Sequence, residues 1–450
     1  MKFKIKTVLL KYMNKNVLKF GIPCVALVLM IAILYFFVFH KNSNEIAPKA
    51  NNDFKVGVVM PSSWFSFVDN STIDYPQHIK DSFKASFEEE GMQDENIYIE
   101  SAATLGDQAK KIDTMISRNV QAIIISPVMD ESSLPDLLGL TIPNPYAMGK
   151  DTSQEKQKLI NSINQAKDAG IIIGGWQNYL NDVNYDLFVH SPTAEQMGQK
   201  VGTWLDNIKL DNEKLDASEK TMEIILPEIS GNNYSQDFFA GLYNQISPYI
   251  AHGIYSSKTN TINKTLTKDD YSALCLSNAN GKKITTAADE QNAAHTLMNK
   301  ILINNYDLSA IYNFNPDSRP DIIIAGSDQI AQGVVDSLKE KGFEPSYNSN
   351  RWPIVIGVGG LKSSIWNISN SYQAMSVIYD SNKLVQDSVG LIKELLDAKG
   401  IAKIEKGLPK MNINGKSVMT ITTDPISVDK SNLKAELIDK GYITPGEAGL

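Results

Sequence analysis

Short apolar runs recur along the chain from Phe54 onward, and amphipathic stretches separate most of them. The runs are rich in isoleucine and valine, which is typical of strands buried on both faces of a sheet, and read KVGVVMP, NIYIE, QAIIISPV, IIIGGW, DLFVHS, TMEIILPE, DIIIAGSD, PIVIGVGG and MSVIYD. The stretches between them have helical periodicity at residues 81–90, 107–118, 195–207, 287–304, 329–341 and 383–398. Strands that alternate with helices predict an α/β fold with parallel sheets.

The number of strands narrows the architecture. The runs are too many and too evenly spread for one doubly wound sheet of typical size, so we expect either two Rossmann-like lobes or one barrel. Of the 450 residues, 42% are hydrophobic and 21% are charged. This is an ordinary globular composition, and it supplies enough apolar side chains for large cores.

The N-terminal residues differ from this pattern. Residues 1–19 contain six lysines and no acidic residue, and residues 20–39 contain no charged residue. A run of that length can cross a bilayer of about 30 Å as a helix, and the lysines place residues 1–19 in the cytoplasm. We expect a cytoplasmic segment at 1–19, a transmembrane anchor at 20–39 and a spacer at 40–53, with the binding domain outside the cell membrane. A cleaved signal is the alternative.

Charge and cysteine content exclude several functions. The net charge is −8, and residues 1–49 carry eight lysines and one glutamate, which leaves about −15 for the remainder. Such an acidic domain does not suit nucleic acid or an anionic membrane surface. Only Cys275 follows the expected span, so the exported part has no intrachain disulfide and no cysteine-based zinc site.

Motifs for catalysis are missing from the sequence. There is no G-x-S-x-G, H-E-x-x-H or G-x-x-x-x-G-K-[ST], and in IGVGGLK the place of the third glycine in a dinucleotide fingerprint is taken by Lys362. We therefore expect that the protein is not an enzyme and that it has no catalytic residue, metal or cofactor.

The predicted strand ends carry the candidate binding residues, because ligands of open α/β sheets lie outside the carboxyl ends of the strands. Aromatic rings, amides and carboxylates together suit a polyhydroxylated ligand. The same residue types also cap helices and form turns, and the ring of Trp176 is about equally suited to packing on a helix. The candidates are Trp64, Phe65, Asp130, Trp176, Gln177, Asn178, Asn232, Asn233, Tyr234 and Asp328.

Several stretches together resemble the type I periplasmic substrate-binding proteins of ABC transporters, of the ribose-, xylose- and multiple-sugar-binding kind. The similarity covers about Phe54 to Tyr442 and is carried by KVGVVMP, QAKKIDTMISRNVQAIIISPVMDESSL, NNYSQDFFAGLYNQISPYIAHG, AADEQNAAHTLMNKIL, DIIIAGSDQIAQGVVDSLKEKGF and the final GYIT. The resemblance implies two Rossmann-like lobes, 54–190 with 360–379 and 191–359 with 380–450. It places three crossings near residues 190–192, 358–361 and 379–381.

The implied function is an extracytoplasmic solute-binding protein. It would capture a small polar ligand, with sugar as the expected class, between two closing lobes and would deliver it as a monomer to an ABC permease. The alternative is a membrane-tethered ligand-sensing or signalling ectodomain with a degenerate sugar site. The 19 residues expected in the cytoplasm are too few for an output domain, which favours transport.

The sequence departs from the family within the site. Gln177 and Asn178 stand where these proteins have an Asp-Arg pair, and residues 357–360 (GVGG) stand where they have Gly-Gln-Asp-Ala. An arginine and a carboxylate of the family pattern are therefore missing, and with them two charge-assisted contacts of about 1.5 to 3 kcal/mol each. Either the site has lost its affinity for the usual monosaccharides, or it binds a different ligand.

Overall fold

The computed structural model describes residues 53–62, 75–128, 153–211, 219–227, 233–276, 284, 287–309, 319–345, 352–398, 409–413 and 416–450. These residues belong to one unit of the chain, Asp53–Leu450. The predicted cytoplasmic segment and membrane span, together with the spacer up to residue 52, lie outside the described residues. Of the helices in the described part, none is long and apolar enough to cross a bilayer.

Among the described residues, one sheet has seven strands, which are β1 (Val56–Pro61), β2 (Ile97–Ala102), β3 (Ala122–Ile125), β4 (Ile172–Trp176), β5 (Leu187–Val189), β11 (Lys410–Ile413) and β12 (Lys416–Ile421). Their order is β11-β12-β5-β4-β3-β1-β2. Every neighbouring pair is parallel except β11 and β12, which are antiparallel. This sheet forms the first lobe.

The second sheet has six strands in the part of the chain that the structure describes, which are β6 (Lys220–Ile225), β7 (Tyr255–Ser256), β8 (Ile322–Ala325), β9 (Ile354–Val358), β10 (Met375–Ile378) and β13 (Ile426–Asp429). Their order is β13-β10-β9-β8-β6-β7, and only β13 is antiparallel to its neighbour. Two open sheets confirm the prediction of two lobes and contradict the barrel.

Helices cover both faces of each sheet and pack on it with their own apolar faces. The first lobe has α1 (Tyr75–Glu89), α2 (Leu105–Ser117), α3 (Ser153–Asp168) and α9 (Ser381–Asp397). The second has α4 (Ala194–Asp211), α5 (Tyr234–Ala251), α6 (Ala287–Asn305), α7 (Asp328–Glu340) and α8 (Lys362–Ser369). Short 3₁₀ helices lie at Asp94–Asn96 and Lys268–Leu274, and a π-helical turn lies at Lys434–Ile438. The six helices predicted from periodicity are all present, although α1 begins earlier than residue 81.

Three crossings between the lobes lie within the described ranges. The first crossing, 190–193, joins β5 to α4, and the second, 379–380, joins β10 to α9. Both agree with the prediction. The third crossing lies at 422–425, between β12 and β13, whereas residues 358–361 lie inside the second lobe. The prediction of a crossing there was wrong because β9, α8 and β10 form one continuous βαβ unit of the second sheet.

This topology also changes the division into lobes. Residues 360–379 were predicted in the first lobe, but α8 and β10 pack in the second. Residues 380–450 were predicted in the second lobe, but α9, β11 and β12 pack in the first, and only 426–450 belong to the second. The error has a simple cause, since short strands β12 and β13 have no strong hydrophobic signal in the sequence.

Candidate ligand-binding site

The carboxyl ends of the strands in both sheets form the candidate site. Val189, Ile378 and Ile421 end β5, β10 and β12, and a crossing follows each of them. The third crossing enters the second sheet beside the end of β10, where Ile426 pairs with Ile378. The crossings therefore join the lobes at their carboxyl edges, which is where open α/β sheets bind ligands.

The indole of Trp176 lies in the core of the first lobe. Its exposed fraction is 0%, and it packs edge-on against Phe83 of α1 with ring centroids 4.9 Å apart. Leu187 and Val189 of the neighbouring strand belong to the same apolar cluster. Of the two roles predicted for this ring, the geometry favours helix packing, because no face of the indole is accessible.

The two glycines before Trp176 differ in what surrounds them. A Cβ at Gly175 would lie 2.5 Å from Cδ2 of Phe188 and 2.9 Å from Cε1 of Tyr185, whereas a Cβ at Gly174 would have no neighbour closer than 3.5 Å. The backbone at Gly175 therefore makes room for two aromatic rings of its own lobe.

Gln177 is bound to the first crossing. Its φ is +59°, an uncommon value for a residue with a side chain. The backbone N–H of Gln177 donates to the Val189 carbonyl at 2.7 Å, and its Oε1 accepts from the backbone N–H of Ser191 at 3.0 Å. Strained backbone of this kind is concentrated at functional sites and switch regions.

Asn178 holds the loop that follows β3. Its Nδ2 donates to the Pro127 carbonyl at 2.8 Å. From the other side, the buried side chain of Gln108 on α2 donates to the Ser126 carbonyl at 2.7 Å and accepts from the Val128 N–H at 2.8 Å. This loop leads towards Asp130. Sequence reasoning missed Gln108, because a glutamine in an amphipathic helix carries no signal that distinguishes a buried anchor from a solvated residue.

Asp328 is fully buried in the second lobe and is bonded entirely to its own lobe. Its Oδ2 accepts from the N–H groups of Gly360 and Leu361 at 2.6 and 2.9 Å. Ser376 Oγ and Gln373 Nε2 also donate to the carboxylate, at 2.9 and 3.0 Å. Burial raises the pKa of Asp328, and these hydrogen bonds oppose the increase.

Asp328 is the first residue of α7 and does not cap the helix. Ser327 is the N-cap, and its Oγ accepts from the N–H of Ile330 at 3.1 Å. Asp328 instead binds the loop 359–361, and the missing side chain of Gly357 in β9 allows the approach. A Cβ at Gly357 would lie 2.1 Å from Oδ1 of Asp328. The GVGG departure is therefore part of a carboxylate-binding loop inside the second lobe.

Tyr234 and Asn233 begin α5. Tyr234 is buried, and its hydroxyl donates to the Gly326 carbonyl at 2.8 Å, which ties α5 to the end of β8. Burial raises the pKa of Tyr234, and the nearby carboxylates of Glu290 and Asp328 add to the increase. Asn233 is the N-cap by position, but its side chain is exposed and makes no capping hydrogen bond.

Four of the predicted site residues lie outside the described residues: Trp64, Phe65, Asp130 and Asn232. Their role in binding stays a prediction.

Glu290 is a buried acid that sequence reasoning missed. It lies in the first turn of α6 with 5% of its surface exposed, and its Oε2 accepts from Ser327 Oγ at 2.9 Å. Burial raises the pKa of Glu290 to about 7, against the effect of the Ser327 hydrogen bond. The second lobe therefore has a carboxyl group that titrates near neutral pH beside the end of β8.

Polar atoms without a partner are concentrated at these strand ends. Within the described part of the chain, the buried atoms without a hydrogen bond include Nε1 of Trp176, Nε2 of Gln177, Nε2 of His190, both amide atoms of Gln329 and Oγ1 of Thr423. His190 donates from Nδ1 to the Ser191 carbonyl at 2.7 Å, and burial lowers its pKa, so its Nε2 is a neutral acceptor. Buried polar atoms normally have partners, so this concentration is typical of a binding site.

No metal centre is evident in the described ranges, where no group of three or more His, Cys, Asp and Glu residues is placed to hold an ion. The polar atoms at the strand ends are amides, imidazole, indole and hydroxyl groups. Such groups donate to and accept from neutral hydroxyls.

The two lobes, three crossings and polar carboxyl edges together define the architecture of a type I periplasmic binding protein. No family model matches the chain. The multiple sugar-binding periplasmic protein SbpA of Azospirillum brasilense is 24% identical over 354 residues, which are 76% of this chain and 79% of the relative. The multiple sugar-binding periplasmic receptor ChvE of Rhizobium radiobacter is 24% identical over 290 residues, covering 63% of this chain and 71% of the relative.

Solved structures show the same fold. An ABC transporter solute-binding protein from Clostridium phytofermentans with bound β-D-glucose has a TM-score of 0.52 at 18% identity, covering 87% of this chain and 99% of that one. A carbohydrate transporter solute-binding protein from Chloroflexus aurantiacus with D-glucose has a TM-score of 0.53 at 18% identity, covering 88% and 98%. The arabinose-binding protein AraP from Geobacillus stearothermophilus has a TM-score of 0.52 at 13% identity, covering 86% and 99%.

These comparisons confirm the resemblance to the periplasmic substrate-binding proteins of ABC transporters. The relatives are binding proteins by name, in agreement with the prediction that the chain is not an enzyme.

Proposed function

We propose that this chain is an extracytoplasmic solute-binding protein that captures a sugar between its two lobes and delivers it to an ABC permease. The observation that carries the proposal is the meeting of both carboxyl edges at three crossings, with unpartnered buried polar atoms at those edges. A ligand held there contacts both lobes, so its binding energy favours the closed arrangement. The sugar-binding names of the relatives support sugar as the ligand class.

The described strand ends favour a neutral ligand. Asp328, the described carboxylate among the predicted site residues, is bonded inside its own lobe, and Gln177 and Asn178 replace charged residues of the family pattern. A sugar without a phosphate or acidic group needs no counter-charge. Hydrogen bonds from amides and from neutral imidazole suit its hydroxyls.

We further propose that residues 20–39 anchor the protein in the cell membrane, with residues 1–19 in the cytoplasm and the two lobes outside. The uncharged run and the lysines before it support this arrangement. Mass spectrometry of the mature N-terminus tests it. A chain that begins near residue 40 would contradict the anchor.

One observation favours the sensing alternative as a second candidate. Oε1 of Gln177, Nδ2 of Asn178 and the carboxylate of Asp328 all have partners in the protein, which is the state expected of a site that has lost its usual ligand. A ligand that stabilises the protein without being transported would support this candidate.

Thermal unfolding of the full chain with a panel of neutral mono- and oligosaccharides, including D-glucose and L-arabinose, tests the proposal. A sugar at 100 times its Kd stabilises the folded state by about 2.7 kcal/mol, which is a measurable rise in Tm. We expect at least one sugar to give such a rise. We expect Gln177→Leu to remove it, while Gln157→Leu, an exposed position on α3, leaves it unchanged. No rise with any sugar at millimolar concentration, in a protein shown to be folded, would refute the sugar assignment.

A further inference from the structure

The C-terminal segment, residues 433–450, is part of the second lobe. Leu433, Leu437, Ile443 and Ala448 pack in one apolar cluster with residues of α8, β10 and β13. At its other end the segment is held to α8, because Lys362 forms an ion pair with Glu447 at 2.5 Å. When the lobes rotate relative to each other, this segment therefore moves with the second lobe.

Asp380 lies in the second crossing, and its side chain is bonded to a helix of the first lobe. Its Oδ1 accepts from the N–H of Lys383 at 2.8 Å and so caps α9. Helix α9 packs on α1 of the first lobe, and Ser82 Oγ donates to Asn382 Oδ1 at 2.8 Å. The carboxylate of Asp380 therefore follows the first lobe when the crossing bends.

Two side chains of the C-terminal segment bind this crossing. The hydroxyl of Tyr442 donates to Oδ1 of Asp380 at 2.5 Å and accepts from the N–H of Asn382 at 3.0 Å. Lys440 pairs with Oδ2 of Asp380 at 3.0 Å. The ring of Tyr442 also lies 5.9 Å from the imidazole of His78 on α1.

The carboxylate is charged at neutral pH. Burial acts to raise the pKa of Asp380, but the hydrogen bonds from Tyr442, the Lys383 N–H and Lys440 hold it below its usual value. Hydrogen bonds to a charged acceptor are about twice as strong as those between neutral groups. The contact is therefore a charge-assisted link between elements that move with different lobes.

We propose that Tyr442 is a positioning residue that latches the hinge, so that its bonds to Asp380 and Asn382 stabilise one relative orientation of the lobes. Hinge closure changes the φ and ψ angles of the crossings, and a bond between a second-lobe side chain and a first-lobe helix cap survives only over part of that motion. The proposal rests on the proposed closing of the lobes. The C-terminal segment thereby sets the fraction of the protein whose lobes are in the orientation that binds ligand.

Distance measurement between the lobes tests the latch without a ligand. Spin labels at Lys110→Cys on α2 and Lys300→Cys on α6, in a full chain with Cys24→Ser and Cys275→Ser, report the separation by double electron–electron resonance. Losing the hydroxyl of Tyr442, which donates to a charged carboxylate, corresponds to about a tenfold to hundredfold change in the ratio of the two lobe orientations. We expect Tyr442→Phe to shift or broaden the ligand-free distance distribution relative to the parent.

The matched control is Tyr243→Phe. Tyr243 donates its hydroxyl to the Leu266 carbonyl at 2.9 Å within the second lobe, so this variant loses one partly buried tyrosine hydrogen bond away from the hinge. We expect it to lower stability and to leave the distance distribution unchanged. Asp380→Asn supplies a second latch variant if Tyr442→Phe does not fold, because its amide oxygen still caps α9 while the charge that binds Lys440 and Tyr442 is lost.

The two proposals fail in different ways. A latch variant with the distribution of its parent overturns the latch, whether or not a sugar is known. D-glucose and the sugar that gives the largest thermal shift are then added to the parent. If the stabilising sugar leaves the parent's distances unchanged, the proposed lobe closure fails while the ligand-free comparison still decides the latch.

Discussion

Replacement of Glu290 by glutamine is predicted to change the pH dependence of stability. The carboxyl group has 5% of its surface exposed and accepts a hydrogen bond from Ser327 Oγ at 2.9 Å. Burial raises its pKa from 4.5 to about 7. The folded state therefore binds the proton more tightly than the unfolded state, and the free energy of unfolding falls as the pH rises from about 4.5 to 7 and is constant above that range.

The magnitude follows from the two pKa values. One pKa unit corresponds to about 1.4 kcal/mol, so this group lowers the free energy of unfolding of the wild type by about 2–3 kcal/mol between pH 5 and pH 8. Glutamine has the same shape and cannot ionise. We expect the stability of Glu290→Gln relative to the wild type to increase by about 2–3 kcal/mol over the same range.

Urea unfolding of both proteins at pH 5, 6, 7 and 8 measures this difference. Glu447→Gln is the control, because Glu447 is exposed and the hydrogen bonds from Lys362 and Thr444 lower its pKa to about 2. Its carboxylate is ionised in both states over most of this range, so the effect of its replacement should be nearly the same at pH 5 and pH 8. A Glu290→Gln difference that is constant with pH would refute the assignment of a buried titrating acid.

Two further predictions concern packing and the buried carboxylate. Gly175→Ala places a Cβ 2.5 Å from the ring of Phe188 and should lower stability by about 1–3 kcal/mol in urea unfolding. Gly174→Ala, whose Cβ would lie 3.5 Å from its nearest neighbour, should be close to neutral. Equal effects of the two substitutions would contradict the packing explanation. Asp328→Ala leaves the N–H groups of Gly360 and Leu361 without their acceptor and should cost about 3–5 kcal/mol, against less than about 1 kcal/mol for Asp387→Ala in a more exposed ion pair on α9. A cost at Asp328 as small as that at Asp387 would show that the loop does not depend on the carboxylate.

The sequence predicted the long, regular parts of the fold. Strands such as β3 and β8 contain runs of three isoleucines, and short β-branched runs of this kind favour buried strands. The third crossing was misplaced because the signals that mark it are weak. Strands β12 and β13 read KSVMTI and ISVD, and half or more of each strand consists of residue types that are equally common in loops.

The site was predicted in outline and not in detail. The position of a strand end follows from the sequence, but the direction of its side chains depends on distant partners. Trp176 is buried because Phe83 of α1 lies against it, and Asp328 turns inward because Gly360 and Leu361, more than 30 residues away, present their N–H groups. Such pairings are set by tertiary packing and leave no local pattern.

The most direct test of sugar binding between the lobes is the structure of the protein with the sugar that stabilises it most. We expect a sugar between the carboxyl edges of the two sheets, in contact with both lobes and hydrogen-bonded to at least one of the unpartnered groups on Gln177, His190 and Gln329. A sugar bound to one lobe only, or away from these strand ends, would contradict it.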